Sequence, residues 1–527
     1  MAQQTPTPRR PAPVDAIATT TDAPPFLSDR SFFGHPKGLA TLFVTEMWER
    51  FSYYGLRPLL ILFMAAALMD GGFGFERDQA SAIVGIYGAC VYLASLPGGW
   101  VADRLLGLRR AILYGAVLIS LGHISIGFSA FQHSRIPFFL GLILIVLGTG
   151  LLKPNISAIV GDLYPEGGER RDAGFSIFYM GINTGAFLGQ LVTGFLGEKV
   201  GWHWGFGAAG VGMIIGLIYF TTQSKRTLGN LGLEPVRHPD PVIHARQTRT
   251  AKTFLAAGLG ALALIVILAA SGVVALDAQV IGRYMTGAMI TMSVLFFAFV
   301  FIAGKLSSDE KKRVAVIFVL FVFAAIFWSA FEQAPTSLNL FARDFTDRQM
   351  GGFEIPATWF QSVNSAFIIL LAPVFAALWV GLGKRKIDIS SPAKFAVGLA
   401  LAGVGFVVMY FAATRVVGGQ GLLLVSPWWL VASYFFQTVG ELSLSPVGLS
   451  SMTKLSPRKY VGQMMGIWFT ASALGNLVAG LVGGNVDPEK LEQMPTLFFT
   501  TSVSLFIAAV VLGVLAIPIR KMMVGVK

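Results

Sequence analysis

The sequence predicts an all-α integral membrane protein with fourteen transmembrane helices and both termini in the cytoplasm. Three observations carry this expectation. Of 527 residues, 54% are hydrophobic and only 13% are charged. That is about half the charged share of a soluble domain, so most of the surface faces something other than water. The apolar residues gather into fourteen blocks, each long enough to cross a hydrocarbon core about 30 Å thick, which takes roughly 20 helical residues. The basic residues concentrate in alternate connections between those blocks, the asymmetry expected of cytoplasmic loops.

Residues 1–36, rich in Thr, Pro and Ala, have no apolar core. They read as a disordered cytoplasmic tail without the apolar region of a cleavable signal, so the first span acts as its own insertion signal. Spans are expected near 38–66, 79–102, 108–131, 136–162, 172–197 and 203–222, forming a six-helix bundle over 37–223. A basic linker and an extra pair, near 252–275 and 279–304, fill 224–312. A second six-helix bundle over 313–520 has spans near 314–336, 356–382, 393–413, 426–452, 460–483 and 496–519, and 521–527 is a cytoplasmic tail. The 60 glycines and 25 prolines mostly interrupt apolar runs, as in membrane helices that pack closely or bend. With the N-terminus inside, 29 of the 40 Lys and Arg are cytoplasmic, 8 are extracellular and 3 lie within spans. An odd number of spans would scramble that bias.

The formal net charge of +12 invites a nucleic-acid partner, but such a partner needs a basic patch on a soluble face. Here the basic residues punctuate apolar segments, and membrane topology accounts for them. Cys90 is the single cysteine, which excludes an intrachain disulfide or a cysteine metal cluster.

The informative residues are the charges left inside the membrane. Glu46, Glu49, Arg50, Tyr53, Tyr54 and Arg57 follow one another at offsets 0, 3, 4, 7, 8 and 11, which puts them on one helical face. Lys153, Glu332 and Glu441 sit alone in later spans. An ionised group at the bilayer centre costs about 2.5–3.5 kcal/mol, so seven of them facing lipid would cost on the order of 20 kcal/mol. They must pair and face a bundle interior or a wet cavity. Ion pairs that merely fix packing are the bland alternative, but small residues hold membrane helices together with less hazard. His123, with no partner motif nearby, reads as a hydrogen-bonded packing residue.

At 1.5 Å per residue, Arg50, Lys153 and Glu441 fall within roughly 6 Å of their span midpoints. Arg57 and Glu332 fall roughly 7–11 Å toward the outside. A midplane cluster under an outer ion pair is the layout of an alternating-access carrier. Arg50, Arg57 and Lys153 belong to the first six spans, Glu332 and Glu441 to the last six. A cleft between the halves would be bipolar and complement a zwitterion. Four carboxylates face three cations, and a proton relieves the excess negative charge. Glu46 and Glu49, on one face, are the natural pair to share it.

Read together, Glu46-Met-Trp-Glu49-Arg50-Phe-Ser-Tyr53-Tyr54-Gly resembles the ExxER signature of the proton-coupled oligopeptide transporters, a branch of the major facilitator superfamily. Other segments resemble that family in the same order: Gly98-Gly99-Trp-Val-Ala-Asp103-Arg104-Leu-Leu-Gly107-Leu-Arg109-Arg110, Gly150-Leu-Leu-Lys153-Pro154-Asn155 and Phe178-Tyr179-Met-Gly-Ile-Asn183-Thr-Gly185. Phe327-Trp328-Ser-Ala-Phe-Glu332-Gln333 and Gly440-Glu441-Leu-Ser-Leu-Ser-Pro446-Val-Gly448 continue the series.

The resemblance implies the major facilitator fold with the extra helix pair typical of bacterial members, in a bacterial inner membrane. It implies symport of di- and tripeptides with protons coupled through Glu46, Glu49 and Arg50. Arg50 and Lys153 would hold the peptide carboxylate, and Glu441 with Asn183 and Asn364 its ammonium. Tyr53, Tyr54, Tyr92, Trp328, Trp468 and Ser472 would line side-chain pockets. Arg57, counted with the binding residues, would also gate the outside with Glu332, and Lys153 with Glu441 would form a second gate. Animal members carry a histidine where this chain has Gly85, so coupling here rests on carboxylates.

No cofactor, metal or obligatory protein partner is expected; the partners are peptide, protons and the lipid bilayer, with no nucleic acid. The spans exclude a soluble enzyme, and no G-x-x-x-x-G-K-[ST] loop marks an ATPase. Gly258-Leu-Gly260-Ala-Leu-Ala263 imitates a dinucleotide fingerprint inside an apolar helix, where packing glycines are expected instead. A proton-coupled carrier of another anion such as nitrate is the alternative within the class, although a carboxylate at Glu441 would repel a lone anion. A non-transporting membrane receptor is the alternative outside it, but it has no use for midplane charges.

Overall fold

The computed structural model describes residues 25–273, 277–385 and 389–523. The expected tails therefore lie outside the described residues at 1–24 and 524–527. Fourteen helices of 23 to 30 residues make up about three quarters of the described residues. In chain order they are α1 (Lys37–Ala65), α2 (Arg77–Val101), α3 (Leu108–Gln132), α4 (Arg135–Asp162), α5 (Gly168–Phe195), α6 (Trp202–Thr227) and α7 (Pro241–Ala270). There follow α8 (Ala278–Ala303), α9 (Ser308–Phe331), α10 (Trp359–Lys384), α11 (Ser391–Gly418), α12 (Trp428–Leu455), α13 (Val461–Gly483) and α14 (Gln493–Met522). Among the described residues, twelve helices are long and apolar enough to cross a membrane. The two long helices outside that set are α1, which holds Glu46, Glu49, Arg50 and Arg57, and α12, which holds Glu441.

Boundaries depart from the sequence expectation where caps intervene. The helix expected from 252 begins at Pro241, because the Asp240 carboxylate accepts from the amides of Val242 and Ile243 and Pro241 suits the first helical position. A capping box between Ser307 and Glu310 starts α9 at Ser308 rather than 314. Residues 25–36, grouped by composition with the tail, instead lie against the first bundle. Leu27 is buried, and the His35 Nδ1 is 2.8 Å from the Tyr164 hydroxyl.

The described residues form two compact units. The first takes residues up to Tyr54, Leu93–Gly189 and those from Phe206 to 273. In it α3 and α4 pack backbone to backbone: a Cβ on Gly115 would lie 2.6 Å from the Gly148 carbonyl oxygen, and one on Gly141 2.6 Å from that of Gly122. Small residues allow this approach where helices have no hydrophobic incentive to associate. The basic linker folds over the turn between α2 and α3. Val236 N donates to Asp103 O at 2.7 Å, Arg109 N to Gly232 O at 2.9 Å, and the Arg104 guanidinium to the Gln247 side chain. Gly107, at φ 79°, leaves no room for a side chain beneath Leu233.

The second unit takes Gly55–Tyr92, Gln190–Gly205 and the described residues from Asp277 on. Here α11 and α12 meet through Gly398 and Gly440, and α2 meets α13 through Gly85 and Gly480. Polar contacts then gather at one end. Arg77 Nη1 donates to Asp344 at 2.5 Å and to the Val486 carbonyl at 3.0 Å. The Glu198 carboxylate accepts from the amides of Ala357 and Thr358 and from the Thr358 hydroxyl, capping α10. Lys199 and Arg348 each approach Glu354 to 2.6 Å.

Two expectations about packing need correction. A Cβ on Gly258 or Gly260 would meet nothing within 4 Å among the described residues, and Ala251 is the one residue of α7 buried there, so the pair does not serve packing against another described helix. His123 is buried beside Gly210, but neither ring nitrogen has a hydrogen-bond partner among the described residues. It packs without the hydrogen bonds expected of it.

Candidate functional site

In the first unit, the α1 face carrying Glu46, Glu49 and Arg50 is wholly buried. The Arg50 Nε lies 3.1 Å from Glu46 Oε1, one helical turn away, and against Glu49 Oε2. Its guanidinium carbon is 5.3 Å from the Tyr53 ring centre and 6.0 Å from that of Tyr54, within cation–π range. Glycines on α5 permit this burial. A Cβ on Gly185 would lie 2.1 Å from the Met47 carbonyl oxygen, and one on Gly189 2.3 Å from that of Phe51. Two carboxylates thus share one guanidinium out of water. Glu46 Oε2 and Glu49 Oε1 have no hydrogen-bond partner among the described residues, and the Lys153 charge on α4 acts on Glu46 as well.

Lys153 is half-buried on α4. Pro154 follows it and cannot donate to the Gly150 carbonyl, and that oxygen is the atom that α2 meets at Gly98. Asn183 is buried on α5, its Nδ2 donating to the Tyr179 carbonyl at 3.0 Å.

In the second unit, Arg57 and Glu332 come together. Arg57 Nη2 donates to Glu332 Oε2 at 2.5 Å, and both side chains are buried. Each sits at an irregularity. Arg57 precedes Pro58, whose carbonyl accepts from Asn339 Nδ2 at 2.8 Å. Glu332 ends α9 before a π turn over Ala334–Leu338, a distortion frequent at functional sites.

Glu441 and Asn364 also meet. Asn364 Nδ2 donates to Glu441 Oε2 at 3.3 Å and to the Thr438 hydroxyl at 2.9 Å. Trp328 packs with Phe327 and Phe331, and its Cβ would lie 2.4 Å from a Cβ on Gly475. Trp468 lies against Gly448 and Phe395. Tyr92 is half-buried and Ser472 buried.

One residue escaped the sequence reading. Asn476 Oδ1 accepts from Arg57 Nη2 at 2.6 Å, making a third member of the Arg57–Glu332 cluster. The signal was present: Trp468, Ser472, Asn476 and Gly480 recur every fourth residue, one face of α13. Gly85 also finds its reason here. A Cβ there would lie 2.6 Å from the Asn476 carbonyl oxygen and 2.7 Å from Gly480 Cα, so no imidazole fits at that position. Among the described residues no group of three His, Cys, Asp or Glu could hold a metal.

Comparison with known proteins places this chain in a family. The profile of the POT family matches residues 109–497. The peptide transporter YePEPT of Yersinia enterocolitica subsp. palearctica is 49% identical over 513 residues, covering 96% of this chain and 98% of the relative. A di-/tripeptide transporter of Lactococcus lactis subsp. lactis is 37% identical, covering 95% and 99%. The crystal structure of a POT family transporter in complex with 5-aminolevulinic acid superposes with a TM-score of 0.84 at 32% identity, covering 93% and 98%.

Proposed function

Because this chain belongs to the POT family, we propose that it is a proton-coupled symporter of di- and tripeptides in the bacterial inner membrane, working by alternating access. The observation that carries this reading is the Glu46–Arg50–Glu49 cluster, three buried charged side chains whose sum is negative. A lone ion pair would complete itself; this set takes up a proton when its surroundings change.

The remaining roles follow the same chemistry. Arg50 and Lys153 bind the peptide carboxylate, since paired cations suit an anion. Glu441, steadied by Asn364, binds the ammonium with Asn183. Tyr53, Tyr54, Tyr92, Trp328, Trp468 and Ser472 surround the peptide side chains, and aromatic walls accept varied shapes. Arg57 with Glu332 closes the outside, helped by the contacts of Arg77 and Glu198 at the same end of the second unit. Lys153 with Glu441 forms the second gate.

All fourteen long helices cross the membrane in this reading, as six, two and six, with both termini cytoplasmic. The boundaries are those of a bundle over 37–223, a linker and helix pair over 224–312, and a bundle over 313–520. The lysine and arginine bias supports that orientation. Uptake of a radiolabelled dipeptide into proteoliposomes, with and without an inward proton gradient, tests the function.

A further inference from the structure

Helix α7 is attached to its unit along one side and bare along the other. The Arg104 guanidinium donates to the Gln247 side chain, and Ala251 is the one residue of α7 buried among the described residues. Gln247 and Ala251 each stand two residues from Arg249, so at about 100° per residue Arg249 points within about 20° of directly away from them. Arg246 and Lys252 flank Arg249 at about 60° on either hand. All three basic residues are exposed, and among the described residues no carboxylate pairs with any of them. Helix α7 itself contains no Asp or Glu, and Asp240 before it is engaged by the amides of Val242 and Ile243.

From Phe254 to Ala270 the helix carries no polar side chain and rises about 25 Å, most of a hydrocarbon core about 30 Å thick. Lys252 then lies at the core boundary, with Arg249 about 5 Å and Arg246 about 9 Å further out. Lipid headgroups fill that layer, about 5–8 Å deep on each face, and long basic side chains reach along it. We propose that this face of α7 binds the headgroup of an anionic phospholipid, with the phosphate against Arg249 and Lys252 and the acyl chains along the bare apolar helix beyond. The proposal goes past the transport reading and rests only on its statement that α7 crosses the membrane.

Charge and depth select this occupant. Three cations on one stripe, with no carboxylate among them, complement a phosphate and repel the same stripe on a second copy of the chain. Phe254, Leu259, Leu264, Ile265 and Ile267 are all exposed and need an apolar cover that begins where the basic stripe ends. A phospholipid supplies the anion and the apolar chains at those two depths. Each basic residue close to an anionic membrane surface strengthens the attachment about five-fold.

The test places a fluorophore at Ala256→Cys, one turn beyond Lys252 and exposed, in a Cys90→Ser background. The full-length chain is reconstituted in phosphatidylcholine vesicles, and phosphatidylglycerol or phosphatidylcholine carrying a nitroxide on its acyl chain is added as quencher. Phosphatidylglycerol should reach half-maximal quenching at a mole fraction roughly tenfold or more below that of phosphatidylcholine. Arg246→Gln, Arg249→Gln and Lys252→Gln should each move the phosphatidylglycerol curve up to about five-fold toward the other, and the triple variant should make the two coincide. If the triple variant does not fold, the single variants decide. Arg458→Gln with Lys459→Gln, an exposed basic pair before α13, should leave the preference intact. Coincident curves in the parent, a preference that survives the three substitutions, or an equal loss in the Arg458 and Lys459 variant would overturn the proposal. Quenching by neither lipid would overturn it as well: energy transfer between labelled copies would then mean that a second copy covers the face, and its absence that α7 does not cross the bilayer. The readout needs neither peptide nor a proton gradient, so failure of peptide uptake would count against the transport reading alone.

Discussion

The guanidinium of Arg57 and the carboxylate of Glu332, 275 residues apart in the chain, meet at 2.5 Å with both side chains buried. A pair so far from water is retained only when its geometry and added hydrogen bonds offset desolvation. Asn476 supplies the added bond on the arginine side.

Removing either partner strands a buried charge, which typically costs about 3–5 kcal/mol. Arg57→Ala and Glu332→Ala should each lower the thermal midpoint in detergent by several degrees. The double variant should be far less destabilised than the sum of the two. Additive losses in this cycle would show that the pair contributes no coupling.

The Glu46–Arg50–Glu49 cluster predicts a separation of coupling from movement. Glu46→Gln and Glu49→Gln remove a titratable oxygen but keep the side-chain shape. Accumulation of dipeptide against its gradient should fall to background, while exchange of external for internal peptide stays measurable. Proton-driven accumulation at the parent level in both single variants would remove this pair from the coupling step.

Much of the site was legible in the sequence because a charge in an apolar run has few explanations. The spacing of Glu46, Glu49, Arg50, Tyr53 and Tyr54 is a helical face, and the structure shows that face closed on itself by ion pairs and ring contacts. Asn476 shares a helical face with Trp468 and Ser472, but its role was not legible, because a single neutral amide in an apolar run is ordinary and its partner is 419 residues away. Gly85 was read only as an absent histidine; its packing against α13 depends on a tertiary approach that no local pattern encodes. The early start of α7 was written in Asp240-Pro241 but overshadowed by the polar residues after it.

The two ends of the substrate should be read by different residues. Binding of an N-acetylated dipeptide should be much weaker than that of the free dipeptide in the unsubstituted protein, yet little weaker in Glu441→Gln. Amidating the carboxylate should behave likewise with Lys153→Gln. Losing one partner of a desolvated charge contact costs about 2–5 kcal/mol, a difference that calorimetry resolves. Independent losses in both cycles would reassign Lys153 and Glu441.

Outside the membrane, the hydrogen bond from Lys199, aided by the Arg348 charge, holds the Glu354 carboxyl below its ordinary value of 4.5. The folded value is the depressed one, so this pair's stabilisation is present above 4.5 and fades as pH falls through the lower folded value. Lys199→Met should therefore lower the thermal midpoint slightly at neutral pH, and the gap should close in strong acid. The pair is partly exposed, so the effect is small; a gap that widens on acidification would contradict the assignment.

The central claim, peptide movement driven by protons, is tested most directly by dipeptide uptake into proteoliposomes under an inward proton gradient and an inside-negative potential. One charge falling through 100 mV supplies about 2.3 kcal/mol, enough for roughly fifty-fold accumulation. Accumulation of that order, abolished by a protonophore, is the expected result. Peptide accumulation that a protonophore leaves unchanged, or no uptake under the gradient, would contradict it.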